Sequence, residues 1–219
     1  MLIQEAQWFQ EQLAHCEPSQ MFPLCNVGSS TGEFRTKDQP WINDLIFAPV
    51  VRQGHVVKHL DMKSAPGVDI VGDLGNPEFL QEVSNMRFKS VFCSNLLEHV
   101  IHREEICSML LSIVTAGGYL CISVPYSYPY HPDPIDTGFR PNIAELAALF
   151  PGARLISSAI VGGDTILQLR RRRPAVFAIT LVRFLLPFYK PVSWWRTRGY
   201  LPWFLRRLTA TCVILQKST

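Results

Sequence analysis

The sequence predicts an α/β fold in which a largely parallel β-sheet is covered by helices on both faces. Short runs rich in valine, isoleucine and phenylalanine alternate with longer segments of helical periodicity. These runs lack the polar face of a half-exposed strand, as is typical of buried parallel strands. The chain has 219 residues, of which 47% are hydrophobic and 18% charged, which is enough for one full core. We therefore expect a single domain over residues 1–219.

Strands and helices are predicted in a regular order over the first half of the chain. The strands are expected at residues 22–27, 55–60, 68–71, 88–94 and 117–125. The helices are expected at residues 40–54, 77–86 and 103–118. In the last helix four apolar residues fall on one stripe, and Gly117 is expected to end it.

The second half continues with a helix, two strands and an insertion. A helix is expected over residues 141–152, between Pro141 and the Pro151–Gly152 pair. Residues 153–163 and 209–217 are predicted as a sixth and a seventh strand. Between these strands we place a helical insertion, residues 170–207.

The net charge of +3 conceals two parts of opposite charge. All 18 Asp and Glu residues lie at or before Asp164, so residues 1–169 carry a net charge of −8 and residues 170–219 one of +11. The insertion combines this positive charge with aromatic and apolar residues. That composition favours the headgroup zone of an anionic membrane. The alternative is a helical hairpin that packs on the sheet or on a second subunit in a homodimer.

Two other interpretations of the insertion are weaker. Its apolar part, residues 174–189, has 16 residues and falls short of the roughly 20 that span a bilayer. Basic and aromatic residues also suit nucleic acid, but no recognised binding motif is present. We therefore expect no nucleic-acid partner.

The cysteine pattern favours a reducing compartment. Six cysteines are present without a Cys-x-x-Cys pair, and most lie in apolar runs. Buried reduced thiols are therefore expected in place of disulfides or zinc, and no metal site is predicted. The N-terminal segment has two glutamates and no cationic stretch before an apolar one, so no secretory signal is expected. We expect a cytoplasmic protein, peripheral at the inner membrane face if the insertion binds lipid.

A loop of small residues follows the first predicted strand. Gly28 and Gly32 flank Ser29, Ser30 and Thr31. Glycines there allow a sharp turn and bring backbone N–H groups close to a ligand. In a parallel sheet this loop lies at the carboxyl ends of the strands, where ligands bind. A tight turn without a ligand is an equally good interpretation of the loop alone.

Two carboxylates end the next two strands. Asp61 follows the second strand and Asp73 the third. A carboxylate at such a position can accept both hydroxyls of a ribose, although a single one more often caps a loop. Two in succession favour a nucleoside ligand. The glycine pattern lacks G-x-G-x-x-G and the interval from Gly28 to Asp61 is long, which disfavours a nicotinamide cofactor.

The order of the motifs "NVGSSTG", "HLD", "VGDL", "VFCSNLLEHV" and "TAGGYLCISVPY" resembles that of class I S-adenosylmethionine-dependent methyltransferases, of the type 11-like kind. The resemblance covers roughly residues 20–165. It implies a Rossmann-like, doubly wound, mostly parallel seven-stranded sheet with an antiparallel last strand. It also implies S-adenosylmethionine as cofactor.

The resemblance assigns the cofactor-binding residues. Gly28, Ser30 and Gly32 would line the methionine moiety, and Asp61 would bind the ribose. The adenine would be held by Asp73 and Leu74, and the pocket floor would be formed by Asn95 and Leu96. Asn26 stands where the family usually has an acidic residue, and Ser30 where it usually has glycine. An amide can accept a hydrogen bond from the methionine ammonium but brings no charge, so these departures predict weaker cofactor binding.

The segment after the fifth strand, "PYSYPYHPDPIDTGFRPN", is the predicted acceptor loop. His131 is the first candidate for a general base because its ordinary pKa of about 6.5 suits neutral pH. Asp133 and Asp136 are candidates to orient it or to bind sugar hydroxyls. Tyr130 and Arg140 are candidates for substrate binding. The alternative is a rigid proline loop whose polar groups only satisfy local backbone.

Glu98 and His99 in "LEHV" are less favoured as catalytic residues. They begin a predicted helix, and their polar groups are expected to cap it.

Three classes of function follow. The leading one is O-methylation of a sugar or a lipid-linked glycan at the cytoplasmic membrane face. The second is a binding or scaffold protein that keeps the fold but is catalytically weak or inactive. The third and weakest is a nicotinamide-dependent oxidoreductase.

Overall fold

The fold is built on one seven-stranded sheet. The structure is a computed structural model that describes residues 1–131, 135–171, 178, 179, 182, 188, 194 and 201–219. The strand order is β3-β2-β1-β4-β5-β7-β6. Neighbours pair in parallel except β7, which runs antiparallel to both β5 and β6. The strands are β1 Leu24–Val27, β2 Val57–Asp61, β3 Ile70–Val71, β4 Phe88–Ser94, β5 Val114–Ser127, β6 Ala153–Thr165 and β7 Arg207–Lys217.

This sheet confirms the predicted doubly wound architecture with an antiparallel last strand. β4, β5 and β7 are buried along most of their length, because helices cover both sheet faces. The described helices are α1 Ile3–Leu13, α2 Pro18–Met21, α3 Pro40–Ile42, α4 Ala48–Arg52, α5 Pro77–Asn85, α6 Arg103–Ile113, α7 Ile143–Ala148 and α8 Ile166–Arg171. Single π-helical turns, Phe34–Asp38 and Asn43–Phe47, flank α3, and 3₁₀ turns occupy Leu97–His99 and Leu201–Phe204.

Two hydrophobic cores fill the space between the helices and the sheet. On one face, α5, α6 and α7 pack around Val91, Leu120 and Ile122. On the other face, α1 and the segment through α3 pack around Phe92, whose ring meets those of Phe9 and Phe47 edge to face. The core extends through both faces, as a parallel sheet requires.

Local sequence explains where two of the helices begin. Asn76 accepts hydrogen bonds from the N–H groups of Glu78 (2.9 Å) and Phe79 (3.2 Å) at the start of α5, directly before Pro77. Asn142 and Glu145 form a reciprocal capping box at the start of α7. Both caps satisfy backbone donors that a helix terminus leaves without partners.

The junction between α6 and β5 differs from the sequence-based expectation. The predicted helix over 103–118 ends at Ile113, and the strand begins at once with Val114 in place of residue 117. Val114 pairs with Phe88 of β4, and the Lys217 ammonium donates to the carbonyls of Leu111 (2.9 Å) and Val114 (2.7 Å). These distant partners end the helix before its glycine is reached.

The connection from β2 to β3 is described throughout, contains no helix and packs on the loop after β1. Asp69 Oδ2 accepts the His59 N–H (2.7 Å), so a side-chain oxygen takes the place of a backbone acceptor of the predicted strand. The observed strand β3 is only two residues long. Gly32 N–H donates to the Pro66 carbonyl (2.8 Å). The two loops therefore form one layer at the carboxyl ends of β1 and β2.

Most of the predicted insertion over residues 170–207 lies outside the described residues. The same is true of Asp133, the second predicted catalytic residue. Within the part of the chain that is described, no helix is long and apolar enough to cross a bilayer.

Candidate cofactor and acceptor site

The loop after β1 has the backbone geometry of a ligand-binding turn. Gly28 and Ser30 both adopt positive φ values, 66° and 54°. A Cβ atom on Gly28 would lie 3.1 Å from Leu96 Cδ1, so a larger residue would force this contact to shift. Ser30 holds a left-handed conformation that disfavours a side chain, at the position where glycine was expected from the resemblance.

The Arg35 side chain fixes this loop through its backbone carbonyls. Arg35 is 4% exposed, and its Nη1 donates to the carbonyls of Ser29 and Ser30, each at 2.7 Å. Nη2 donates to the Gly67 carbonyl on the β2–β3 connection. Burial lowers the pKa of Arg35, and the nearby carboxylates of Asp69 and Asp61 oppose that shift. The guanidinium fixes the two loops to each other.

Asp61 lies at the end of β2 and faces the loop. Its Oδ2 accepts the Ser30 N–H (2.7 Å), and its Oδ1 accepts the Lys63 N–H (3.0 Å). A carboxylate offers about four acceptor positions, so each oxygen retains capacity for one more donor. The structure thus brings the residue predicted to bind ribose within hydrogen-bond distance of the predicted methionine loop.

The predicted adenine residues lie one strand further out. Leu74 is 6% exposed and belongs to the core around β4 and β5. Asp73 is exposed, and its Oδ1 accepts the Gly75 N–H (2.8 Å). Asp73 thus caps the loop that follows it, which is the alternative role of an aspartate at a strand end. Adenine binding by Asp73 and Leu74 stays a prediction.

Asn26 pairs with the neighbouring strand. Its Nδ2 lies 3.0 Å from His59 Nδ1, in the register that joins β1 to β2. Burial lowers the pKa of His59 to about 4, with a smaller contribution from Arg35. The ring is therefore neutral at pH 7 and can accept from the amide. The pair brings no negative charge to this position.

Asn95 is tied to the N-terminal helix. It follows β4 with a φ of 51°, and its Nδ2 donates to Ser94 Oγ (2.9 Å) and Glu5 Oε1 (3.3 Å). Glu5 is 1% exposed and also accepts from Ser123 Oγ (2.5 Å) and Ser94 Oγ (3.1 Å). Glu5 was not predicted as a site residue. The sequence offers one signal for its role: Glu5 precedes Phe9 by one helical turn and so lies on the buried, otherwise apolar face of α1.

A cavity of about 440 Å³ opens beside this cluster. Its wall includes Glu5 and Asn95, Phe34 and Trp41 from the segment after β1, and Tyr128 and His131 from the segment after β5. The predicted floor residue Asn95 and the predicted base His131 therefore share one cavity. Tyr130, two residues after the wall residue Tyr128, is 61% exposed, and its role as a substrate ligand stays a prediction.

Asp136 and Arg140 form the core of the acceptor loop. Arg140 Nη2 and Nη1 donate to the Asp136 carboxylate (2.6 and 3.1 Å), which also accepts from the N–H groups of His131 (3.0 Å) and Gly138 (2.8 Å). Burial raises the pKa of Asp136, but these hydrogen bonds outweigh it and hold the pKa well below its usual range. These contacts join residues 131, 136, 138 and 140 of the loop to one another, and a role of Asp136 and Arg140 in substrate binding stays a prediction.

Glu98 and His99 also line the cavity. The Glu98 carboxylate is fully buried, and neither of its oxygens accepts a hydrogen bond from the described residues. The Glu98 carbonyl accepts from the Thr137 N–H and hydroxyl (both 2.9 Å), which fixes the 3₁₀ turn against the acceptor loop. The expected capping role of the Glu98 side chain is therefore wrong. Burial raises the pKa of Glu98 to about 7.

Comparison with known proteins shows the fold. No family model and no curated protein matches the sequence. Among solved structures, coclaurine N-methyltransferase bound to N-methylheliamine and S-adenosylhomocysteine has a TM-score of 0.57 at 12% identity, covering 97% of this chain and 69% of that one. The MccD protein has a TM-score of 0.54 at 12% identity, with 98% and 96% covered. The [4+2]-cyclase SpnF has a TM-score of 0.52 at 13% identity, with 90% and 74% covered.

The chain therefore has the fold of class I S-adenosylmethionine-dependent methyltransferases, as the motif order implied. At these identities the likeness extends to the fold alone.

Proposed function

We propose that the protein is an S-adenosylmethionine-dependent methyltransferase whose cofactor binds at the carboxyl ends of β1, β2 and β4. The contact between Ser30 N–H and Asp61 carries the proposal, because it joins the small-residue loop to a strand-end carboxylate in this fold. Ligands of doubly wound sheets bind at this edge.

The residues present fit the nucleoside part of this cofactor. Asp61 keeps one acceptor position on each oxygen for the two ribose hydroxyls. Gly28 presents bare backbone against Leu96, where a Cβ atom would crowd the contact. Arg35 fixes the loop before a ligand arrives, which reduces the entropy that binding would otherwise lose.

When bound, the cofactor supplies a methyl group activated by a positively charged sulfur. The protein then has to align an acceptor atom and to take up its proton. The cavity beside Asn95 is the proposed acceptor site, and its mixed polar and aromatic wall favours a hydroxyl-bearing acceptor such as a sugar or a glycan.

His131 is the proposed base for that hydroxyl. Its Nδ1 lies 3.2 Å from Asp136 Oδ2, and Arg140 keeps this carboxylate ionised. Asp136 therefore favours the tautomer that carries its proton on Nδ1 and leaves Nε2 as the proton acceptor. A catalytic role for Asp133, which lies outside the described residues, remains a prediction.

A binding or scaffold protein is the second candidate. Asn26 and His59 supply an uncharged pair where the family usually has an acidic residue, which favours weak cofactor binding. The [4+2]-cyclase SpnF has a similar fold, so the fold by itself does not specify methyl transfer. A nicotinamide enzyme is disfavoured by the loop pattern.

Calorimetric titration with S-adenosylmethionine and S-adenosylhomocysteine tests the proposal. We expect both to bind, and Asp61→Asn to weaken binding roughly tenfold or more, because hydrogen bonds to a charged group contribute about 1.5–3 kcal/mol. Asp38→Asn is the matched control, since Asp38 is exposed and makes none of the hydrogen bonds that join Asp61 and Arg35 to the loop. NADH serves as the negative ligand.

The outcomes separate the candidates. Binding that Asp61→Asn weakens and Asp38→Asn leaves unchanged supports the cofactor site. If neither adenosyl compound binds at millimolar concentration, the methyltransferase proposal is contradicted and the scaffold function is favoured. Binding of NADH alone overturns both.

We also propose that the insertion brings the protein to an anionic membrane surface. The support is the net charge of +11 over residues 170–219 together with the interleaved aromatic residues. Co-sedimentation with phosphatidylserine vesicles, but not with phosphatidylcholine vesicles, is expected, and salt should release the protein. Equal binding to both vesicles, or a homodimer without vesicle binding, would contradict this.

A further inference from the structure

Three potential metal ligands converge at the cavity. Glu98 and His99 belong to the 3₁₀ turn after β4, and His131 belongs to the acceptor loop after β5. One ligand atom of each lies within 4.8 Å of the other two. The three residues come from two separate parts of the chain, so no sequence spacing predicts their convergence.

The Glu98 carboxylate is the unsatisfied polar group of this cluster. Its side chain is 0% exposed, yet within the described part of the chain neither Oε1 nor Oε2 accepts a hydrogen bond. The nearest basic atom of His99, Nε2, lies 3.7 Å from Oε1, beyond hydrogen-bond distance. A buried carboxylate without hydrogen bonds is strongly unfavourable, whereas coordination of one of its oxygens to a cation would offset its charge.

Both histidines are oriented for coordination. His99 Nδ1 lies 2.5 Å from the Ile135 carbonyl, which can only accept, so the ring proton is on Nδ1. His131 Nδ1 lies 3.2 Å from Asp136 Oδ2 and 3.3 Å from the Pro129 carbonyl, so its proton is also on Nδ1. In the neutral form of each ring, Nε2 therefore carries a lone pair. Histidines that bind metals typically donate their other N–H to a carbonyl or a carboxylate in this way.

We propose that Glu98, His99 and His131 bind one divalent transition-metal cation, such as Zn²⁺, through a carboxylate oxygen and the two Nε2 atoms. Two histidines and one carboxylate form a known catalytic set that leaves a coordination position for substrate. Metal–ligand bonds of about 2.0–2.1 Å would draw the three atoms together by roughly 1 Å. This proposal departs from the expectation of no metal site.

The cation would change how the acceptor hydroxyl is activated. A hydroxyl bound to it would lose its proton to solvent water more readily, as zinc-bound water does. His131 would then act as a ligand, and the base role proposed above would apply only to the metal-free protein. The site itself does not depend on methyl transfer.

Metal binding can be measured without any cofactor. The whole protein is stripped with a chelator, dialysed and titrated with Zn²⁺ by calorimetry, and with Co²⁺ by visible absorption. We expect one ion per chain, with a Co²⁺ spectrum that lacks thiolate charge transfer. Glu98→Gln, His99→Ala and His131→Ala should each weaken binding at least tenfold.

The controls separate this site from other causes. His102→Ala is the matched control, because His102 is exposed and lies next to Glu105 outside the cavity. Glu98→Gln keeps the side-chain shape and removes a buried charge, so it should fold even if a histidine variant does not. S-adenosylhomocysteine binding, measured in chelator, tests the proposed function independently.

The proposal is overturned if no saturable binding occurs up to millimolar metal. It is also overturned if the three variants bind as His102→Ala does.

Discussion

Arg35 shows how one buried charge can organise a binding edge. Its guanidinium donates to the carbonyls of Ser29, Ser30 and Gly67 and so joins two loops that have no regular secondary structure. Planar geometry with several fixed donors is what lets one arginine satisfy three carbonyls. The Asp61 carboxylate therefore accepts the Ser30 N–H from a loop whose position Arg35 has already fixed.

Arg35→Lys should therefore loosen both loops. A lysine ammonium lacks the fork that reaches all three carbonyls, and buried carbonyls without partners are unfavourable. We expect the free energy of unfolding to fall by about 2 kcal/mol, and S-adenosylhomocysteine affinity to fall with it. Urea unfolding and calorimetry check this, with exposed Arg52→Lys as control. A variant as stable as the control would show that Arg35 is not the connection.

His59 should make the fold sensitive to acid. Burial, with a smaller effect of Arg35, lowers the pKa of the folded ring from 6.5 to about 4. Between these values the unfolded chain binds a proton that the folded one does not, so stability falls as pH decreases through this window.

Between pH 7.5 and pH 4.5, His59→Gln should lose about 2 kcal/mol less stability than the unmodified protein. Urea unfolding at the two pH values measures the difference. His15→Gln, at an exposed position, is the control and should retain the full acid sensitivity. Parallel pH dependence in both variants would contradict the assignment.

Sequence alone identified the residues at strand ends but not their partners. Gly28, Ser30 and Asp61 lie at the end of a strand or in the loop after it, so a strand prediction places them. Glu5 and Arg35 lie on helical segments and meet the site only through tertiary packing. The burial of the Glu98 carboxylate, and the contact of its backbone carbonyl with Thr137, arise from packing between residues far apart in sequence, which no local pattern encodes.

At the scale of elements, α1 closes the carboxyl edge of β4 and β5. Glu5 Oε1 accepts from Ser123, Ser94 and Asn95, while its Oε2 accepts the Leu2 N–H (3.0 Å). One carboxylate thus caps its own helix and fixes that helix to two strands. Phe9, one turn further on, packs against Phe92 in the core.

Glu5→Gln should weaken this attachment. The amide keeps one acceptor oxygen but loses the charge and places N–H donors toward the same hydroxyls, so we expect a loss of about 2 kcal/mol in unfolding free energy. Glu11→Gln changes an exposed carboxylate of the same helix and should alter stability by less than about 0.5 kcal/mol. Equal effects in the two variants would contradict the attachment.

The element order was predictable because most strands are continuous apolar runs. The α6–β5 junction was not, since Lys217 at the other end of the chain stops the helix at Ile113. The same holds for β3, which Asp69 shortens through its side-chain contact with His59. In both cases a side-chain contact with a residue outside the local segment decides the boundary.

At the scale of the whole molecule, five of the six free cysteines are buried in the two cores. Burial raises the pKa of Cys25 and Cys107 to about 12, and it raises the pKa of Cys93, Cys121 and Cys212 well above the ordinary thiol value. Thiolates are the reactive form, so these side chains are inert while the protein is folded.

Thiol reactivity should therefore report global unfolding. With Ellman's reagent we expect at most slow modification of the half-buried Cys16 in native protein, and all six thiols to react in denaturant. Rates measured along a urea series should follow the unfolding transition. Rapid reaction of more than one thiol in the native protein would show that the cores open locally.

The central claim is that a nucleoside cofactor binds where Asp61 meets the loop after β1. A crystal structure of the protein with S-adenosylhomocysteine tests it most directly. We predict that the two ribose hydroxyls donate to Asp61 Oδ1 and Oδ2 while the Ser30 N–H remains within hydrogen-bond distance of the carboxylate. A cofactor bound elsewhere, or with its ribose remote from Asp61, would contradict this claim.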